Sequence, residues 1–220
     1  MAYIDFISHL HKKTKRDYLG RVQEIPKAEA ATIAKKFDKD YWDGDRKYGY
    51  GGFKYDGRWL SVAEKLVKHY NLKPGQKVLD VGCGKGFLLY DLLQIVEGLE
   101  VAGIDISKYA IENSKVENEN SLKVCSATNL PFEDNYFDLI ISINTLHNLP
   151  CHDLEKALKE IQRVGKKNKY LVVESYRNEE EKVNLLYWQL TCESFYSPEE
   201  WDWWFNHCNY NGDHSFIYFE

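Results

Sequence analysis

Residues 78–93 read VLDVGCGKGFLLYDLL. Val78, Leu79 and Val81 make a short apolar strand carrying Asp80. Gly82, Gly84 and Gly86 make a turn, and Phe87, Leu88, Leu89 and Leu92 follow at helical spacing. Glycine lets a ligand approach the backbone closely, and the helix that follows presents unpaired N–H groups at its start. Outward from this stretch, short apolar runs alternate with amphipathic segments. Strands are expected at 77–81, 101–105, 122–125, 138–143 and 170–174, with helices at 86–96, 108–117 and 153–164. Strands that are apolar throughout and alternate with helices predict an α/β fold, a doubly wound and mostly parallel sheet covered on both faces.

The rest of the 220-residue chain frames this core. Hydrophobic residues make up 44% and charged residues 29%, which excludes a disordered chain and a disulfide miniprotein. No apolar run approaches the ~18 residues of a membrane span, and the first eighteen residues do not read as a secretory leader. A net charge of −5 argues against nucleic acid and acidic membranes as partners. Five scattered cysteines with no paired spacing read as free thiols in a cytoplasmic, reducing setting, and no residues suggest a metal site. The basic run HKKTKR at 11–16 reads as a solvated helix face, and Pro26 begins a helix through Phe37. Of the 32 aromatic residues, seven fall in 41–59 and twelve in 187–220. The chain therefore divides into an N-terminal helical segment with an aromatic, glycine-rich lid (1–59) and a core domain (60–220).

The second strand ends in Asp105, where a carboxylate can accept both hydroxyls of a ribose. A nicotinamide-binding turn spaces its glycines GxGxxG beneath a pyrophosphate. Here the spacing is GxGxG, and Asp80 would repel a pyrophosphate. It suits S-adenosylmethionine, whose sulfonium and ammonium are cations. An NAD-dependent oxidoreductase and a non-catalytic cofactor-binding partner subunit are the rival readings.

VLDVGCGKGFLL, VAGIDIS and SATNLPFEDNYFDLIISINTLHNL together resemble class I S-adenosylmethionine-dependent methyltransferases of the type 11 group, over roughly residues 75–175. The resemblance implies a Rossmann-like fold whose glycine turn holds the methionine part of the cofactor. It also implies that Asp105 binds ribose and that the Ala127 N–H meets adenine. The cofactor-binding set is then Asp80, Gly82, Cys83, Gly84, Asp105, Ile106, Ala127, Thr128 and Asn144. Ser126 stands where the family often has an acid that contacts the adenine amino group. The segments YWDGDRKYGYGGFKYDGRW and NLLYWQLTCESFYSPEEW resemble a small bacterial subgroup tied to surface-polysaccharide genes, which implies a sugar-type acceptor.

Acceptor chemistry belongs just beyond the strand ends. His147 is the candidate base, its ordinary pKa being near neutrality. Glu174, ending the fifth strand, is the second catalytic candidate. Tyr50, Tyr55 and Arg58 of the lid and Trp188, Glu193 and Tyr196 are the substrate-binding candidates. The fold implied by the resemblance ends in an antiparallel hairpin, yet only 215–219 reads as a clear strand near the C-terminus. Its partner is sought between Leu190 and Tyr196; if it is missing, the open edge predicts a homodimer.

Overall fold

The computed structural model describes residues 1–118 and 121–220. Four short helices come first, α1 (Ser8–His11), α2 (Tyr18–Glu24), α3 (Lys27–Ala34) and α4 (Lys39–Trp42), followed by α5 (Leu60–Tyr70). Strand–helix alternation then runs β1 (Lys77–Val81), α6 (Phe87–Ile95), β2 (Glu100–Asp105), α7 (Lys108–Glu112), β3 (Leu122–Val124), β4 (Phe137–Ile143), α8 (Cys151–Val164) and β5 (Gly165–Glu174). Helices α9 (Glu179–Trp188) and α10 (Pro198–His207) precede the last strand, β6 (Asp213–Ile217). The six strands lie in the order β3-β2-β1-β4-β5-β6, and every pairing is parallel.

The strand period of two divides the core between the two faces. Val78, Leu139, Ile141, Tyr170 and Val172 pack with Leu66 of α5 and Leu89 and Leu92 of α6. Leu79, Val81, Ile140, Leu171 and Val173 pack with Leu158 and Ile161 of α8 and Trp201 of α10. Burying apolar residues on both faces leaves the carboxyl ends of the strands as the exposed working edge, where Asp80, Asp105 and Glu174 sit. Helix α10 starts as its sequence directs. Ser197 caps the Glu200 N–H, Glu200 returns the bond to the Ser197 N–H, and Pro198 occupies the first turn.

Three expectations are corrected. The 108–117 helix stops at Glu112, because the Lys115 N–H donates to the Lys85 carbonyl and the Ser114 hydroxyl accepts from the Val116 N–H. These bonds turn the chain back over the glycine turn. The 41–59 loop contains the end of α4 and a 3₁₀ turn at Arg46–Tyr48. No antiparallel hairpin forms among the described residues: β6 runs parallel beside β5, and residues 190–196 carry no strand.

The chain's own N-terminus covers the edge of β6. Tyr3 bridges to His214, the Ile4 N–H donates to the His214 carbonyl, and the His214 N–H donates to the Ala2 carbonyl. The Tyr170 hydroxyl fixes this strap, accepting from the Phe6 N–H and donating to the Ile4 carbonyl. The open edge on which the homodimer rested is therefore closed within one chain. Among the described residues no helix is long and apolar enough to cross a membrane.

Candidate active site

The glycine turn works through close approach. Gly82 has φ +82°, and a Cβ there would lie 1.9 Å from the Thr145 hydroxyl. A Cβ on Gly84 would meet the ring of Trp42 at 2.9 Å. Trp42 is buried, and its indole N–H donates to the Ser107 hydroxyl at 2.8 Å. Lys85, the buried cation of the turn, reaches both oxygens of Asp43 at 2.8 and 2.7 Å and the Phe53 carbonyl at 3.0 Å. Tyr109 donates to the same carboxylate. The aromatic segment thus lies clamped on the turn, with Trp42, Tyr50, Phe53 and Phe87 in one run of ring contacts.

Three cavities open along the strand ends. The first is lined by Asp105, Ile106, Ser126, Ala127, Asn144 and Asn148, with Phe37, Tyr41 and Trp42 above. The second is lined by Asp80, Gly82, Cys83, Gly84 and Asn144, under Tyr50, Phe53 and Trp59. The third, about 200 Å³, lies beneath the N-terminal strap, with Glu174, Trp188, Gln189 and Thr191 on its core side. Tyr50 and Asn144 line all three cavities. Asn144 has φ +59°, and its buried side-chain oxygen has no hydrogen-bond partner.

Burial sets the electrostatics. Asp80 is pushed up to about 7 by burial and then by the neighbouring Asp105. Asp105 is also raised by burial, against the pull of the Gly84 and Ser107 N–H groups, each 2.8 Å from one of its oxygens. At the acceptor side, burial raises Glu174 to about 8 and lowers His147 to about 3. The two form a neutral pair: the His147 Nδ1 accepts from the Glu174 N–H at 3.4 Å, and its Nε2 lies 3.3 Å from the carboxyl. Gln189 donates to the other carboxyl oxygen.

Comparison with known proteins follows this geometry. Residues 72–209 match a family model described as a methyltransferase domain. The chain belongs to the methyltransferase-domain family. It is similar to the demethylmenaquinone methyltransferase of Bacillus pumilus, 35% identical over 59% of this chain and 56% of that one. It is also similar to the cycloartenol-C-24-methyltransferase of Arabidopsis thaliana, 32% identical over 67% of this chain and 48% of that one. The chain spans between 28% and 56% of the length of the curated relatives it matches. The YcgJ protein of Bacillus subtilis shares the fold, with a TM-score of 0.54 at 23% identity over 66% of each chain.

S-adenosylmethionine is the cofactor of this methyltransferase domain, and the residues present fit it. Asp80 has no hydrogen-bond donor among the described residues, so a cationic ligand would compensate its buried carboxyl. Asp105 lines the first cavity, where a ribose would present hydroxyls, and Asn144, whose buried side-chain oxygen has no hydrogen-bond partner among the described residues, lines all three.

The sequence-derived candidates separate cleanly. Asp80, Gly82, Cys83, Gly84, Asp105, Ile106, Ala127 and Asn144 line the two cofactor cavities, while Thr128 turns aside to bond the Ser126 hydroxyl. Tyr50, Arg58, Trp188 and Glu174 line the third cavity. Tyr55 instead bonds Asp91, Glu193 pairs with Lys35, and Tyr196 packs on Trp201 and Trp204. His147 lines none of the three cavities; it lies behind Glu174 at 2% exposure. Sequence reasoning missed Tyr41, Trp42, Gln189 and three of the third cavity's arginines, Arg16, Arg21 and Arg46. The 11–16 run is only partly a solvated face, since His11 and Arg16 turn inward. No local pattern marks them, because their partners lie far along the chain: Arg21 bonds the Trp188 carbonyl and Trp42 bonds Ser107.

Proposed function

We propose that the chain moves the methyl group of S-adenosylmethionine to a hydroxyl or amine of a small polar acceptor bound in the third cavity. The observation that carries this reading is the junction at Tyr50 and Asn144, where the acceptor cavity meets both cofactor cavities. When bound, the cofactor supplies an electrophilic methyl group on a sulfonium. Asp80, Asp105 and the Ala127 N–H would hold it, with Asn144 lining the junction of the cavities. Glu174 orients the acceptor's hydroxyl or amine and, in its ionised form, takes its proton. His147 is a positioning residue that holds the Glu174 carboxyl at the cavity wall. Tyr41, Tyr50, Phe53 and Trp59 exclude water, so alignment of the nucleophile supplies much of the rate.

A sugar-type acceptor suits the aromatic ring of Trp59 together with the polar groups of Gln189 and Thr191. A polysaccharide-building role and a cytoplasmic location belong to this reading. So does an acceptor that is neither nucleic acid nor membrane. The test is incubation with methyl-labelled S-adenosylmethionine and a low-molecular-weight cell extract. Label should enter a polar small molecule with the wild-type protein and not with Asp105→Ala. Label that stays on the cofactor in every extract overturns the proposal.

A further inference from the structure

Four arginines line the acceptor cavity: Arg16, Arg21, Arg46 and Arg58. Arg58 is paired with Asp56. The other three converge on one ring, with their guanidinium carbons 5.4, 4.6 and 5.4 Å from the centre of Trp188. Their hydrogen bonds go to neutral acceptors. Arg16 donates to the His11 and Thr14 carbonyls and contacts the His11 ring, Arg21 donates to the Trp188 and Arg46 carbonyls, and Arg46 donates to those of Gly49 and Tyr50. None of the three has a carboxylate within ion-pair distance among the described residues. The buried Nε of Arg16 has no hydrogen-bond partner among the described residues.

Three like charges gathered on one cavity wall repel one another, and stacking on an indole offsets only part of that cost. Among the described residues Glu174 is the one carboxyl lining the cavity; burial raises it to about 8, and it makes no ion pair with any of the three. Burial and then Arg46 push Arg21 down to about 10, the direction expected of a guanidinium without an anionic partner. Planar donor forks of this kind match carboxylate and phosphate oxygens.

We infer that the acceptor is an anion, its carboxylate or phosphate seated among Arg16, Arg21 and Arg46 against Trp188 while its nucleophile reaches Glu174. This rests on the methyl-transfer reading and narrows its acceptor to a charged class. The neutral hydroxyl or amine at Glu174 and the anionic group at the arginines are then two ends of one molecule.

Two measurements test it. In the first, the protein loaded with S-adenosylhomocysteine is titrated at constant ionic strength with inorganic phosphate and with benzoate, and tryptophan fluorescence is read. At least one anion should saturate. Arg21→Gln and Arg46→Gln should each weaken it by about tenfold while leaving S-adenosylhomocysteine affinity unchanged. The preferred anion separates phosphate from carboxylate. Neither anion saturating, or no effect of the arginine variants, overturns the anion site. In the second, a cell extract is split on an anion exchanger. The retained pool should support methyl transfer, with phosphatase treatment abolishing it only for a phosphorylated acceptor. Transfer supported by the flow-through alone overturns the proposal. Transfer from neither pool removes the methyl-transfer reading, and the anion titration still decides the site.

Discussion

Lys85 in the glycine turn and Asp43 in the aromatic segment form a mostly buried ion pair, the ammonium touching both carboxylate oxygens at 2.7–2.8 Å. The turn that frames the cofactor cavity and the segment that roofs it are thereby one unit. Removing one partner of a buried pair leaves an uncompensated charge, worth about 3–5 kcal/mol when burial is complete. Asp43 is partly exposed, so Asp43→Asn should cost about 2–3 kcal/mol in denaturant unfolding. It should also speed hydrogen exchange across residues 41–59. In the wild type S-adenosylhomocysteine should slow that exchange. Equal exchange in both proteins would separate the segment from the turn.

Asp105→Ala should weaken S-adenosylhomocysteine by about 1–3 kcal/mol in calorimetry, the size of charge-assisted hydrogen bonds. The same carboxylate accepts the Gly84 and Ser107 N–H groups, so part of the loss is a looser turn. Asp105→Asn, which keeps one acceptor oxygen, should fall between. Unchanged affinity in both variants would remove the ribose assignment.

Glu174 makes stability depend on pH. Its folded pKa, about 8, lies above the ordinary 4.5, so between these values the folded chain binds a proton that the unfolded chain has lost. Stability should therefore fall as pH rises through that window, by at most about 1.4 kcal/mol per unit from this group. Glu174→Gln should flatten that part of the profile. If Glu174 takes the acceptor proton, the methyl-transfer rate should rise with pH toward 8 in the wild type and not in the variant. Parallel stability profiles would show that the carboxyl is not held neutral.

The cofactor half of the molecule was legible because its residues act where they stand. Asp80, Gly82 and Gly84 lie in one turn, and Asp105 lies at the tip of the next strand. Local periodicity fixed strands β1 to β4 to within a residue or two. The acceptor half was not legible in the same way. Arg16, Arg21, Arg46 and Tyr41 lie outside the family-matched stretch and reach the cavity only because the strap and lid fold back over the sheet. The intrinsic pKa of histidine makes His147 a candidate base. Burial behind Glu174, which no pattern of neighbours announces, pushes it to about 3. The hairpin expectation failed because β6 follows α10 and enters parallel to β5, leaving the N-terminus to close the edge.

The central claim is that the glycine turn, Asp80 and Asp105 select S-adenosylmethionine over a dinucleotide. Side-by-side calorimetric titrations of the wild-type protein with S-adenosylhomocysteine and with NAD test it most directly. S-adenosylhomocysteine should bind saturably with one site per chain, and NAD should give no measurable heat. Binding of NAD, or no binding of S-adenosylhomocysteine, would contradict it.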